Sequence, residues 1–304
     1  MKRISVVIPW GGKEDHELEA FRSLSHIRKK IDIYVEKGKD ASINRNRGIK
    51  KSKTEIVSFL CSHTTASANW IKKIDAFFEK NPDVDIVGGP QLTALDQDRS
   101  GKIIGYGLES IFGSAAVRSR YVPTKEGKAD EKRLTSANLA CRRKVFDKVL
   151  WDPKSHPGDD AKFVSDAKKA NFNIAYSPEL IVYHRRRSTL KGLFLQVFYY
   201  GDLRVRTRKF FELINKPVFL IPLFFLLYLL LIPVLFFTGL KFLALIPFFL
   251  YLLLSLIFSI YESIKKRDIK ALFALPFIFF SIHIGYGLGL LAGLINKFFS
   301  IMDN

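Results

Sequence analysis

The sequence predicts an α/β domain built on a mostly parallel sheet, followed by C-terminal transmembrane α-helices. Three observations carry that reading. Short apolar runs rich in Val and Ile alternate with helix-like stretches through the first part of the chain. After Lys216 the composition changes to long uncharged runs of Leu, Phe and Ile. Positive charge is densest where the two regimes meet, with nine Lys/Arg against Asp202 and Glu212 between His184 and Lys216.

The elements follow in order. Ile4–Ile8, Ile31–Val35 and Ile56–Leu60 are short, β-rich and apolar on both alternations, as strands covered on both faces must be. Helix-like stretches over 17–29 and 41–50 separate them, and another over 68–80 follows. Asn81-Pro82-Asp83 stops that last helix, and Val84–Val87 begins a further strand ending at Gly88-Gly89. Alternating βαβα order implies a doubly wound sheet, which binds ligands beyond the carboxyl ends of its strands. Pro9 and Trp10, Glu36, the Cys61-Ser62-His63 stretch and Gly88-Gly89 occupy those places.

The membrane part is expected to hold three spans, about 217–238, 242–261 and 271–295, within a domain over 217–304. Prolines inside them are no obstacle in a bilayer. Met1-Lys2-Arg3 leads into an apolar run far too short for a signal peptide, so the domain over 1–187 is expected in the cytosol. Lys265, Lys266, Arg267 and Lys270 lie between the second and third spans. By the positive-inside rule that side is cytoplasmic and the C-terminus is outside, in a multi-pass protein of the cell membrane. Residues 188–216 read as an amphipathic, basic interfacial segment, with a soluble helix packed on the domain as its alternative. The formal charge of +19 thus points to membrane lipids, and the sequence holds no recognised nucleic-acid-binding module. Two cysteines without CxxC spacing argue against a disulfide framework. His283 inside the third span reads as a neutral imidazole hydrogen-bonded between close-packed helices.

Several of these segments resemble the family 2 inverting glycosyltransferases, which have the Rossmann-like GT-A fold. They are SVVIPW, RNRG (Arg45 to Gly48), IVSFLCSHTTASANWI, SANLACRRKVF, GDD (Gly158 to Asp160) and SPELIVYHRRRSTL, in the family's order. GLESIFGSAAVRSRY, LQVFYYGDLRVRT and SIHIGYGLG are further similar to the succinoglycan-biosynthesis type with C-terminal membrane helices. The resemblance implies a nucleotide-sugar donor and a polyprenyl-phosphate-linked or glycan acceptor. Pro9, Trp10, Glu36, Arg45 and Ser62 would contact the donor. Arg185, Arg186, Arg187 and Gln196 would meet the acceptor or a phosphate, since Arg suits bidentate phosphate recognition. The region 92–133 is expected to face the acceptor.

An inverting transferase needs a carboxylate within hydrogen-bond reach of the attacking hydroxyl. The resemblance puts that base at Asp160, with Asp159 where the family has Glu. Both would also favour the positive N-terminus of a helix over 161–170. The family's Asp-x-Asp metal motif is altered: Cys61 replaces the first acid and His63 the second. Hard Mg²⁺ prefers oxygen, whereas imidazole suits Mn²⁺-like ions better. His63 and His184 are therefore the candidate ligands of a divalent cation, and Cys61 reads as a small buried residue. A metal-independent site and a catalytically silent membrane scaffold are the alternatives the altered motif leaves open.

Overall fold

The computed structural model describes residues 3–12, 18–27, 29–155, 158–206, 217–237, 239 and 241–302. The chain divides into two compact units, Met1–Gln97 with Val117–Arg185, and Asp98–Ala116 with Arg186–Asn304. An inner segment of the first 187 residues, Asp98–Ala116, groups with the second unit.

In the first unit, β1 (Ile4–Trp10), α1 (Glu19–Leu24), β2 (Asp32–Lys37), α2 (Ala41–Lys51) and β3 (Ile56–Phe59) come in the expected order. The helix expected over 17–29 is shorter, giving way to a 3₁₀ turn at Ser25–Ile27; residues 17 and 28 lie outside those described. Next come β4 (Thr64–Ala66), α3 (Trp70–Lys80), β5 (Ile86–Gly88) and β6 (Gln91–Thr93). The seven-stranded sheet has the order β2-β1-β3-β8-β5-β9-β7, with β7 at Gly127–Lys128, β8 at Leu139–Arg142 and β9 at Ile174–Tyr176. β1 runs parallel to β2 and β3, while β8 runs antiparallel between β3 and β5. The sheet is mostly parallel with an inserted antiparallel strand.

Alternate residues of the apolar runs go to opposite faces, so a strand covered on both faces needs apolar side chains on both alternations. Val6 and Ile8 join Leu24, Trp70, Ile74 and Phe78 on one side. Val7, Val57 and Phe59 join Trp151 and Phe163 on the other. Trp70, Ile74 and Phe78 lie one helical turn apart, which is why α3 docks by a single stripe. Trp151 stacks on Phe163 with centroids 4.2 Å apart, and Phe59 meets Trp151 edge-on at 5.3 Å. Truncating such an aromatic to alanine costs about 3–5 kcal/mol. A small second sheet, β4-β10-β6, contains β10 (Val182–His184) antiparallel to β4. Gly89, expected on the ligand edge, is instead a packing glycine: a Cβ there would lie 2.2 Å from the Leu180 carbonyl oxygen.

The second unit holds α4 (Arg99–Glu109), α5 (Ile111–Ser114), α7 (Leu190–Arg206), α8 (Ile221–Phe236), α9 (Lys241–Lys266) and α10 (Ile269–Met302); α6 (Asp159–Lys169) belongs to the first. Of the three expected spans, two helices are long and apolar enough to cross a membrane, Phe242–Lys266 and Ile269–Phe299. α8 has 16 residues, about 24 Å at 1.5 Å per residue, short of the ~30 Å hydrocarbon core. Its start is shortened because Pro217–Phe219 forms a 3₁₀ turn.

α7 packs backbone-close on α10. A Cβ at Gly289 would sit 2.0 Å from the Phe198 carbonyl oxygen, and one at Gly201 would sit 2.4 Å from that of Tyr286. Gly285, Gly289 and Gly293 form the small-residue ridge that such close approach requires. The second half of the expected interfacial segment, residues 207–216, lies outside the described residues. His283 is bonded as expected: its Nε2–H donates to the Phe112 carbonyl at 3.0 Å, and Tyr251 O–H donates to Nδ1 at 3.0 Å.

Candidate active site

The centre of the site is a buried polar cluster at the carboxyl side of the sheet. α6 starts at Asp159, so Asp159 and Asp160 occupy its first turn, where the helix dipole favours carboxylates. Both also reach partners beyond their own helix. Asp159 pairs with Arg45 of α2 at 2.5 Å, each side chain 5% exposed. Ser42 Oγ–H donates to the same Asp159 oxygen at 2.8 Å. Arg45 extends its other nitrogen to Ser136 Oγ at 2.7 Å and lies 4.6 Å over the Trp151 ring. Ser136 Oγ–H in turn donates to Asp160 Oδ1 at 2.6 Å.

α2 can deliver Ser42 and Arg45 to one place because they are three residues apart on one helix face. Asp40 caps that helix by accepting from the Ile43 amide at 2.9 Å. Burial raises the proton affinity of Asp160, and the neighbouring Asp159 charge raises it further, while Arg45 and the Ser136 hydroxyl oppose the rise. A carboxylate so placed is a stronger base than an exposed one.

Cys61 belongs to this cluster. Burial pushes its thiol up to about 11, against the pull of Arg45, so it is protonated at neutral pH. His63 instead faces His184. Their Nε2 atoms are 3.1 Å apart, and the rings meet edge-on with centroids at 4.5 Å. The pairing of β4 with β10 brings them together, since Thr64 is opposite His184. His184 Nδ1–H donates to the Arg185 carbonyl at 2.8 Å, which leaves Nε2 with the lone pair. A carbonyl that fixes the tautomer in this way is the usual support behind a ligating imidazole.

At 3.1 Å the two Nε2 atoms are at hydrogen-bond distance, His63 Nε2–H donating to His184 Nε2. His63 and His184 could supply two imidazole ligands to a divalent cation, the remaining ligands coming from substrate or solvent. Among the described residues no group of three or more His, Cys, Asp or Glu gathers to hold a metal.

The other expected residues are scattered. Pro9 and Trp10 end β1 opposite Glu36 and Lys37 of β2, and Lys37 Nζ sits 5.1 Å from the Trp10 ring. Glu36 is buried and paired with Lys51 at 2.7 Å. Ser62 accepts the Ala20 amide through its backbone carbonyl at 3.0 Å. Arg185 is held by Glu19 and by Asp96, the latter at 2.5 Å, which strengthens its hold on its proton. It lines a surface hollow of about 430 Å³ with Glu19, Arg22, Ser23, Thr65 and Asp96. Arg186, Arg187 and Gln196 belong to the second unit, where Gln196 donates to the Tyr200 hydroxyl at 2.9 Å.

Sequence reasoning missed Ser42, Ser136 and Trp151 as parts of the base cluster. Ser136 opens the SANLACRRKVF segment, and its place before an apolar strand was the one available signal.

No curated protein matches the sequence. Among solved structures, the mannosyltransferase PcManGT from Pyrobaculum calidifontis, in complex with GDP-Man and Mn²⁺, superposes with a TM-score of 0.59 at 10% identity. The match covers 97% of this chain and 88% of that one, a likeness of fold. S. aureus TarS (residues 1–349) reaches a TM-score of 0.41 at 13% identity, over 67% of this chain and 65% of that one, too weak to argue from. The sequence model described as glycosyltransferase like family 2 matches residues 5–198, which include Arg45, Ser136, Asp159 and Asp160. The fold is GT-A, and the chain belongs to glycosyltransferase like family 2.

Proposed function

We propose that the chain transfers a sugar from a nucleotide-sugar donor to a lipid-linked or polysaccharide acceptor at the cytoplasmic leaflet, with inversion at the anomeric carbon. The observation that carries this reading is the Arg45–Asp159 pair with the Ser136–Asp160 hydrogen bond beside it. It holds one carboxylate neutralised and leaves the other as the base. Asp160 takes the proton of the acceptor hydroxyl as the oxygen bonds to the anomeric carbon and the bond to the diphosphate breaks. Ser136 fixes its Oδ1, so Oδ2 is the oxygen that receives the proton. Asp159 stays ionised against Arg45 and, by its charge, keeps Asp160 basic.

The donor is held on the β1–β2 edge by Pro9, Trp10 and Glu36, with Ser62 nearby on the loop after β3. His63 and His184 would hold a divalent cation, which when bound neutralises the leaving diphosphate. Arg185, Arg186, Arg187 and Gln196 serve the acceptor side. The apolar helices of the second unit associate with the membrane, and the basic residues around them favour a cytosolic catalytic unit. The succinoglycan-type resemblance fits an acceptor of the cell envelope.

The test is release of nucleoside diphosphate and transfer of labelled sugar by the full chain in lipid nanodiscs. A panel of UDP- and GDP-sugars is offered with a polyprenyl phosphate, with and without EDTA. Turnover lost in Asp160→Asn but not in a surface control supports the reading. Donor binding with no turnover by the native chain would establish the silent scaffold instead, which the thiol at position 61 favours.

A further inference from the structure

α10 passes every length test for a membrane span, with 34 residues and about 51 Å of rise. Its surroundings argue otherwise. α9 is nearly all exposed along its apolar stretch, whereas half of the α10 stretch is buried inside the unit.

Both ends of α10 are tied to elements that cannot lie on opposite sides of a bilayer. At its start, Asp268 pairs with Arg99 of α4 at 2.8 Å. Asp98, which caps α4, accepts from Ser188 Oγ–H just before α7 at 2.6 Å. The start of α10 therefore shares a side with the start of α7. At the other end, Lys297 Nζ donates to the Val205 carbonyl at 3.1 Å, and a Cβ at Gly293 would meet the Asp202 carbonyl oxygen at 2.6 Å. The end of α10 therefore shares a side with the end of α7.

α7 itself cannot cross. Between Lys191 and Asp202 only the stretch 192–201 is uncharged, about half of the roughly 20 residues a crossing needs. Its last turn carries Asp202, Arg204 and Arg206, of which Asp202 is buried and bonded to Arg206. Placing that turn across the membrane would set three charges where each is costly. Both ends of α7 are on one side, so both ends of α10 are too.

The exposed surface of α10 agrees. Ile269, Phe273, Phe277 and Phe280 near its start and Ile295 and Phe298 near its end are exposed, and at 100° per residue they fall on one face. Between them that face is covered, a Cβ at Gly287 lying 2.5 Å from the Pro222 carbonyl oxygen of α8. Gly285, Gly289 and Gly293, which α7 covers, fall on the opposite face. An apolar stripe open at both ends, opposite a face covered by α7, suits a helix lying in an interface.

We propose that α10 does not cross the bilayer but lies along its surface, with the stripe in the headgroup–acyl boundary and residues 296–302 on the same side as its start. The occupant of the stripe is the phospholipid bilayer itself, which the exposed apolar surface of α9 adjoins. That this side is cytoplasmic rests on the reading under Proposed function. This arrangement differs from the topology expected from hydropathy, in which this helix is a third span and the C-terminus is outside.

Single cysteines in the full chain test it. Asn296→Cys and Ile264→Cys are exposed positions at the two ends. Sealed vesicles with the cytoplasmic face outward are treated with a membrane-impermeant maleimide, the native chain with Cys61 and Cys141 giving the blank. Equal labelling of both before permeabilisation is the expected result. Labelling of Ile264→Cys before and Asn296→Cys only after detergent overturns the proposal. Labelling of both only after detergent keeps α10 on one side and overturns the cytoplasmic orientation instead. Depth supplies a second measurement. Phe277→Trp and Phe298→Trp should be quenched equally by lipids brominated at a given depth. With the brominated lipids confined to the cytoplasmic-face leaflet, a spanning helix would put the two about 30 Å apart on opposite sides and quench only one of them, and such unequal quenching would overturn the proposal.

Discussion

Asp159→Asn separates what the buried pair does for stability from what it does for the base. Asp159 and Arg45 are each 5% exposed at the side chain, so neither charge is compensated by water. Breaking a buried pair from one side costs about 3–5 kcal/mol, because the remaining charge is left without its counterpart. Asparagine keeps an oxygen for Ser42 and Arg45, and Arg45 retains Ser136 and the Trp151 ring. The loss should therefore fall near the lower figure, about 3 kcal/mol, or roughly 6–12 °C in melting temperature for a domain of this size.

The second effect has a definite sign. The Asp159 charge helps to raise the proton affinity of Asp160, and Arg45 opposes it. Removing that charge leaves the opposition unbalanced, so Asp160 becomes a weaker base. The acid limb of the pH–rate profile should move to lower pH while the plateau rate falls. Thermal unfolding and a pH series of transfer rates check the two effects separately. An unchanged melting temperature together with an acid limb moved upward would refute the reasoning. Replacing both partners, Arg45→Met with Asp159→Leu, should recover most of the stability and none of the activity.

Three further outcomes follow from the same geometry. Asp160→Asn should lower transfer by about 10²–10⁴-fold yet stabilise the unit at neutral pH. The folded-state proton affinity is raised, so ionised Asp160 costs stability; that cost is absent well below the carboxylate range and complete above the folded pKa. Melting curves at neutral and strongly acidic pH check it, and equal gains at both would contradict the assignment. His63→Ala should abolish binding of Mn²⁺ alone in titration calorimetry and reduce transfer severely, whereas Cys61→Ser should be nearly silent in both. Gly289→Leu places a side chain where the Phe198 carbonyl stands at 2.0 Å; overpacking of this kind costs about 1–3 kcal/mol, and it should loosen α7 from α10 as read by amide exchange of residues 193–205.

The sheet was legible because burial on both faces forces a pattern that few alternatives mimic. Val6 and Val7 enter different cores, so the run Ile4–Ile8 is apolar at every position but Ser5, which is buried and hydrogen-bonded to Ser52. β8 was not legible as an antiparallel insertion, since Leu139–Arg142 is as apolar as a parallel strand and its direction is set by the long return after β6. Asp159, Asp160 and Arg45 were found through the order of the quoted segments, but their pairing was not. Contacts such as Ser42 to Asp159 join residues 117 positions apart, and no local period encodes them. Segment 98–116 reads in sequence only as part of an acceptor-facing region, and nothing local in it shows that Gly107 lets α4 approach Ile278 of α10, where a Cβ would fall 2.5 Å away.

Cys61 is best understood through the charge it omits. By the family resemblance an acid belongs at that position, and there it would make three carboxylates around Arg45, with Asp159 and Asp160. Such a cluster needs a metal or another cation to hold it together. A protonated thiol removes one negative charge and still accepts a hydrogen bond from Arg45. Arg45 then belongs to Asp159, and the pair is stable without an ion at its centre. In the proposed reading a cation would instead be held by the imidazoles at His63 and His184. On this account the altered motif moves the metal from oxygen to nitrogen ligands. It also predicts that Cys61→Asp, which puts an acid where the family resemblance has one, draws Arg45 away from Asp159. That variant should melt lower than the native chain in EDTA and recover part of the difference with added Mg²⁺; a melting temperature at or above the native value in EDTA would disprove it.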